Sequence, residues 1–185
     1  MAATLPFSGS AVEGIVLSTL ETKLPVYLHM FNLQTWRATT NRNRLDHWSE
    51  DQLPVLGIVC PGLAEEPRPL ARHTHEFLTR WSVGVAMVVS ARDTETTRTL
   101  AQEYTSCIRN CMMHNAGQLG QARGTDWLDE RYDPLDWDDA ERSLGAGQVQ
   151  LAVEFHVKMG PPPDEIFEDV TSVELQMELI PLEDQ

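Results

Sequence analysis

The pair His73 and His75 in His73-Thr-His75-Glu76 sits at i and i+2, so on a strand both imidazoles share one face, and an approaching Cys60 would begin a metal site. A tetrahedral zinc centre needs three or four converging ligands, and none of the usual spacings completes this set. Cys107 and Cys111 stand one helical turn apart, but their neighbours on that face are apolar, which makes them core thiols with no redox or metal partner. Asp133, Asp136, Asp138 and Asp139 supply the carboxylates of a cation loop by count alone. A calcium loop requires Gly at its sixth position and Glu at its twelfth, and counting from Asp133 these hold Asp138 and Leu144. Read as a two-metal nuclease site, the same carboxylates lack a close Glu/Lys pair in Glu154-Phe-His-Val-Lys158. There is no Gly-x-Ser-x-Gly elbow, phosphate-cradling loop or dinucleotide fingerprint. The expectation is no catalytic residue, no metal and no cofactor. Arg37, Arg42 and Arg44 have the chemistry to contact phosphate or an acidic protein surface, or form a solvated loop.

The elements that position these groups are clearest between residues 81 and 157. In Trp81-Ser-Val83-Gly-Val85-Ala-Met87-Val-Val89 every second residue is bulky and apolar, which predicts a strand with one buried face. After Asp93 or Thr94 as N-cap, Leu100, Tyr104, Cys107, Ile108, Cys111 and Met112 recur at spacings of three and four, predicting an amphipathic helix over 94–115. Val149, Leu151, Val153, Phe155 and Val157 then alternate with polar or small residues as a further strand. Upstream, Val12, Ile15, Val16, Thr19 and Leu20 predict a helix at about 10–22, capped by Ser8 or Ser10 and ended or redirected at Leu24-Pro25. Residues 26–36 fit a short helix or a strand, and 37–52 read as a surface loop. Residues 53–60 read as a short buried strand, paired antiparallel with the strand at about 75–90.

Residues 118–147 are expected to be a long connection, anchored by Trp127, Tyr132 and Trp137 with its carboxylates outward. Beyond Lys158, Gly160-Pro-Pro-Pro163 predicts a stiff linker, and Val173, Leu175, Met177 and Leu179 alternate with Glu174, Gln176 and Glu178 as a terminal strand able to pair with a neighbour. The expected fold is α/β (α+β): a mixed or antiparallel sheet of about four strands with helices on one face, as one domain over 1–160 and an acidic extension over 161–185.

The formal net charge of −14 is segregated: residues 1–125 balance, whereas residues 126–185 hold 3 Lys/Arg against 17 Asp/Glu. A surface so poor in cations cannot bind nucleic acid tightly, because it has almost nothing to exchange for phosphate counterions. No stretch approaches the roughly 18 consecutive apolar residues of a membrane span. The N-terminus lacks the basic and apolar regions of a secretory signal, and three cysteines make an odd count, so cytoplasmic residence is expected.

Taken in order, these elements resemble the tail terminator proteins of long-tailed phages, the family that includes lambda's minor tail protein U. The likeness covers about residues 10–160. It runs through the first helix and loop, Leu53-Pro-Val-Leu-Gly-Ile-Val, the strand ending Val88-Val-Ser-Ala-Arg92-Asp, the helix 94–115, Tyr132-Asp133, and Arg142-Ser-Leu leading into the strand Val149 to Val157. The resemblance implies a virion protein without catalytic residues. It would form a hexameric ring on the last ring of tail tube protein, end tube polymerisation and face the head-completion or stopper protein, with DNA passing through its lumen. Arg37, Arg42 and Arg44 are then candidates to meet Asp133, Asp136, Asp138 and Asp139 of the next subunit. Three other readings compete. They are another neck subunit, a metal-dependent hydrolase on His73, His75 and the Asp133 to Asp139 cluster, and a monomeric binding module.

Overall fold

The computed structural model describes residues 8–41, 50–70, 76–116, 122–135 and 143–158. The first element, α1 (Gly9–Met30), starts where Ser8 in extended conformation accepts from the Ala11 amide. Its buried side chains are Val12, Val16, Leu20, Leu24 and Leu28, a strict spacing of four. Each step of four turns the stripe by about 40° in a helix of 3.6 residues per turn, so the buried face drifts by about 160° along α1. The two ends of α1 accordingly touch different partners. Gly9 lies against Cys60 near the start, while the Tyr27 carbonyl accepts from the Cys107 thiol near the end. Pro25 sits inside the helix and does not end it, because Leu24 and Leu28 on either side are fully buried. The carbonyl that Pro25 leaves without its helical donor belongs to Glu21, an exposed residue. Termination comes at Asn32, in the left-handed region with φ 56°, where the Asn32 and Leu33 amides donate to the carbonyls of His29 and Leu28.

The sheet comprises β1 (Ala38–Asn41), β2 (Val55–Leu63), β3 (Arg68–Pro69), β4 (Glu76–Ala91), β5 (Ala122–Leu135) and β6 (Ser143–Lys158). Its order is β1-β2-β4-β6-β5, with β3 also on β4; β1 runs parallel to β2 and the other pairs are antiparallel. β4 and β6 pair over their full length, from Glu76 opposite Lys158 to Ala91 opposite Ser143. Val83, Val85, Met87 and Val89 of β4 and Val149, Leu151, Val153 and Phe155 of β6 form the buried face, as the alternation predicts, while Trp81 and Val157 are partly buried. Both helices cover this face. α2 (Thr94–His114) begins at Asp93, whose carboxylate accepts from the Thr96 amide at 2.8 Å, and buries Tyr104, Cys107, Ile108, Cys111 and Met112. Leu100 is partly buried against the same core.

The first two turns of α2 lie very close to the sheet. Thr97, Ala101 and Thr105, at successive steps of four, face Gly145 and Gly147 of β6. A Cβ on Gly147 would stand 2.1 Å from Thr105 Oγ1 and 2.7 Å from the Ala101 carbonyl oxygen. Small residues on both sides set this approach.

Four expectations need correction. Among the described residues the sheet has six strands rather than about four. The first helix extends to Met30, since tertiary burial outweighs the proline. Part of the supposed loop 37–52 is β1, and a short 3-10 turn at Glu50–Gln52 leads into β2. Most of the supposed connection 118–147 is strand: β5 occupies Ala122–Leu135 and β6 starts at Ser143. The linker and the strand carrying Val173, Leu175, Met177 and Leu179 lie outside the described residues.

Candidate subunit interface

β5 is an edge strand, and its alternation is concealed by a bulge. Trp127 stands opposite Leu151 and Asp129 opposite Gln150, so Leu128 is an extra residue and the parity of the strand flips there. Before the bulge Thr125 and Trp127 point to the helix side; after it Glu130 and Tyr132 do, opposite Val149 and Gly147. The remaining positions, Asp126, Asp129, Arg131 and Asp133, lie on the face that the helices do not cover.

A charged network ties this edge to α2. Arg109 Nη1 donates to Glu130 Oε1 at 2.7 Å, the Tyr132 hydroxyl donates to Glu130 Oε2 at 2.8 Å, and the Arg109 guanidinium lies 4.9 Å from the centre of the Trp127 ring. Burial, with Glu130 as hydrogen-bond acceptor and nearby charge, pushes the Tyr132 hydroxyl up to about 12. Trp127 therefore has one face held by a cation and remains half exposed, as does Leu128. Of the expected anchors, Tyr132 and Trp127 both meet the α2 side, Trp127 only through Arg109, and Trp137 lies outside the described residues; Glu130 departs from the expectation that the carboxylates point outward. On the open face Asp129 pairs with Arg131 at 2.8 Å, which holds its carboxyl below the usual range, and Arg80 bridges Asp126 and Glu65. Arg80 and then Arg68 hold the Glu65 carboxyl low as well.

Arg37 sits at the far side of the sheet, one residue before β1. Its amide donates to the Pro54 carbonyl at 2.9 Å and its Nη1 to the Asp51 carbonyl at 2.8 Å. It borders a cleft of about 410 Å³ with Leu33, Leu53, Pro54, Val89 and Tyr104. Asp133 borders a different cleft of about 270 Å³, beside Thr97, Arg98, Tyr132 and Leu144. Four strand intervals separate β1 from β5, or about 19 Å at a typical strand spacing. Within one subunit Arg37 and Asp133 therefore do not meet. Arg42, Arg44, Asp136, Asp138 and Asp139 lie outside the described residues, as do His73 and His75.

Among the described residues no three His, Cys, Asp or Glu side chains converge as metal ligands. Glu76, adjacent to the His pair in sequence, is engaged by His156 at 3.3 Å and Lys158 at 3.6 Å. Cys60, Cys107 and Cys111 are buried; burial pushes the Cys107 thiol up to about 11 and the Cys111 thiol to about 12, which keeps both protonated and unreactive at neutral pH. No described helix is long and apolar enough to cross a membrane.

Sequence reasoning missed the exposed Trp127–Leu128 bulge and the Arg109 network. The available signal was an aromatic set among carboxylates, Trp127 between Asp126 and Asp129, which is unusual for a solvated loop. In comparison with known proteins, no family model and no curated sequence matches this chain.

Proposed function

We propose that this chain is a structural virion protein, the tail terminator of a long-tailed phage. In this reading it assembles as a ring, hexameric by resemblance, on the end of the tail tube, stops tube growth and offers its free face to the head-completion protein. The observation that carries the reading is the asymmetry of the sheet. One edge follows Arg37, and the opposite edge is a 14-residue strand bearing Asp126, Asp129 and Asp133 with Trp127 and Leu128 exposed. Ends of unlike charge favour contact between different surfaces of identical copies, and such heterologous contacts close into a ring when the rotation from copy to copy returns on itself.

The excess of carboxylates in residues 126–185 supports the same reading, since a ring lined with negative charge repels phosphates and lets the genome slide through. The function then requires no catalytic residue, cofactor or metal, and the protein belongs to the virion after assembly in the host cytoplasm. Phage lacking the protein are expected to make overlong tails or tails that fail to join heads. Tails of normal length that join normally would refute the assignment, and tails of normal length that stay unjoined would move it to a stopper or tail-completion role.

A further inference from the structure

Two patches of exposed apolar side chains stand on different sides of this subunit. The first lies at the C-terminal end of α1, where Val26, Met30 and Phe31 point to solvent, Met30 with 74 % of its surface exposed. The chain continues directly from it into Asn32 and Leu33 of the Arg37 cleft. The second is the β5 bulge, where Trp127 is 49 % and Leu128 50 % exposed. The end of α1 leads through Leu33 into the Arg37 cleft beside Leu53 and Pro54 at the β1–β2 side, whereas β5 forms the opposite edge of the described sheet.

Their charge settings are opposite. Among the described residues, the stretch from Thr22 to Asn41 carries Lys23 and Arg37 and no carboxylate. β5 carries Asp126, Asp129, Glu130 and Asp133 against Arg123 and Arg131. Either patch facing its own twin across a two-fold axis would bring like charges together, whereas each facing the other gains on both counts.

The bulge also decides the kind of contact. A kinked edge with an extra residue is a poor template for adding a further strand, but it leaves Trp127 and Leu128 half exposed side by side. Arg109 already holds the Trp127 ring by stacking on it, so less side-chain freedom is lost when a partner covers it. Aromatic anchors flanked by complementary charge are the usual energetic centres of protein interfaces.

From these observations we infer that the Trp127–Leu128 bulge of one copy docks against the Val26, Met30 and Phe31 patch of a second copy, with Asp126 and Asp129 facing its Arg37 cleft. This inference rests on the ring reading above and names the contact that closes the ring. Its signature is polarity: each copy donates one patch and accepts with the other.

The test uses the full chain in sedimentation experiments with two variants altered only at exposed positions. One carries Trp127→Ser and Leu128→Ser, the other Met30→Glu and Arg37→Glu. The wild-type protein is expected to form a closed oligomer. Each variant alone should need about 30-fold or more higher concentration to associate, and an equimolar mixture should stop at a one-to-one dimer, since only one complementary pair of patches survives. The single changes Leu128→Ser and Met30→Ser repeat the comparison with the Arg109 stack and the Arg37 charge intact. Wild-type rings with variants that assemble at the same concentration, or a mixture that fails to dimerise, would overturn this contact and leave the ring reading standing. A wild-type chain monomeric up to millimolar concentration would overturn the ring reading itself.

Discussion

Replacing Gly147 by Ala tests the close approach of α2 to the sheet. The added Cβ would lie 2.1 Å from Thr105 Oγ1 and 2.7 Å from the Ala101 carbonyl oxygen, against an ordinary contact distance of at least 3.4 Å. Thr105 cannot simply turn away, because its hydroxyl is fully buried and donates to the Ala101 carbonyl at 2.6 Å. A rotation would break that bond and leave a buried hydroxyl without its partner, at about 1 kcal/mol or more. The alternative is to lift α2 by about 1 Å, an overpacking strain of about 1–3 kcal/mol. Gly147 has no positive φ, so the effect comes from contact and not from backbone conformation. The expected loss is about 3 kcal/mol, or about 6–12 °C in Tm for a chain of this size. Urea unfolding followed by circular dichroism measures it, with Gly14→Ala as the control of opposite sign. Gly14 is exposed inside α1, with nothing within 4 Å of an added Cβ, and Ala there should stabilise by about 0.5–1 kcal/mol. Adding Thr105→Ala to Gly147→Ala should recover part of the loss, because it removes the nearer clash and leaves the backbone one. A Gly147→Ala protein as stable as wild type would refute the packing described for α2.

Alkaline pH should unfold the protein through three buried acids, Tyr104, Cys107 and Cys111, and the partly buried Tyr132. Tyr104 and Tyr132 are raised from 10.0 to about 12, Cys107 from 9.0 to about 11 and Cys111 from 9.0 to about 12. All four are neutral in the folded state, so their stabilisation is complete below pH 9.0 and is lost as pH rises toward 12; a urea midpoint unchanged across that window would contradict their burial. The same two thiols should be silent to an aromatic disulfide reagent in the native protein and should both react in urea. Asp93→Ala should lower Tm by uncapping α2, with Asp93→Asn restoring most of the loss. Donors from Thr96 hold the Asp93 carboxyl below its usual value, so its contribution is present above pH 3.8 and fades as pH falls through the folded value. Deleting residues 161–185 should leave the thermal unfolding of the core unchanged while weakening incorporation into particles, scored by urea titration and by particle yield.

The regular part of the fold was readable because its periods are pure. β4 and β6 carry a bulky apolar residue at every second position of the helix-covered face, even where Val88 and Ala152 are buried on the other face, and α2 keeps its three-and-four spacing from Leu100 to Met112. Elements were misread where a local signal ran against a tertiary one. Pro25 is a helix breaker by its chemistry, yet Leu24 and Leu28 bury enough surface to carry the helix past it. β5 loses its alternation to two register shifts, between Ala122 and Gly124 and between Trp127 and Asp129, and the inward position after the second is a glutamate whose carboxylate Arg109 and Tyr132 satisfy. β1 is four residues long, too short for any period to register. For the interface, charge segregation was visible in the chain, but the placement of Arg37 and Asp133 at opposite sheet edges depends on strand order, which no local pattern encodes.

The most direct test of the central claim is an image of assembled phage particles resolved well enough to trace this chain. The account predicts a closed ring of copies at the head-proximal end of the tail tube, with the β5 edge of each copy against the α1 and Arg37 flank of the next. Particles in which the chain is absent, or present as an isolated copy away from the tube end, would contradict it.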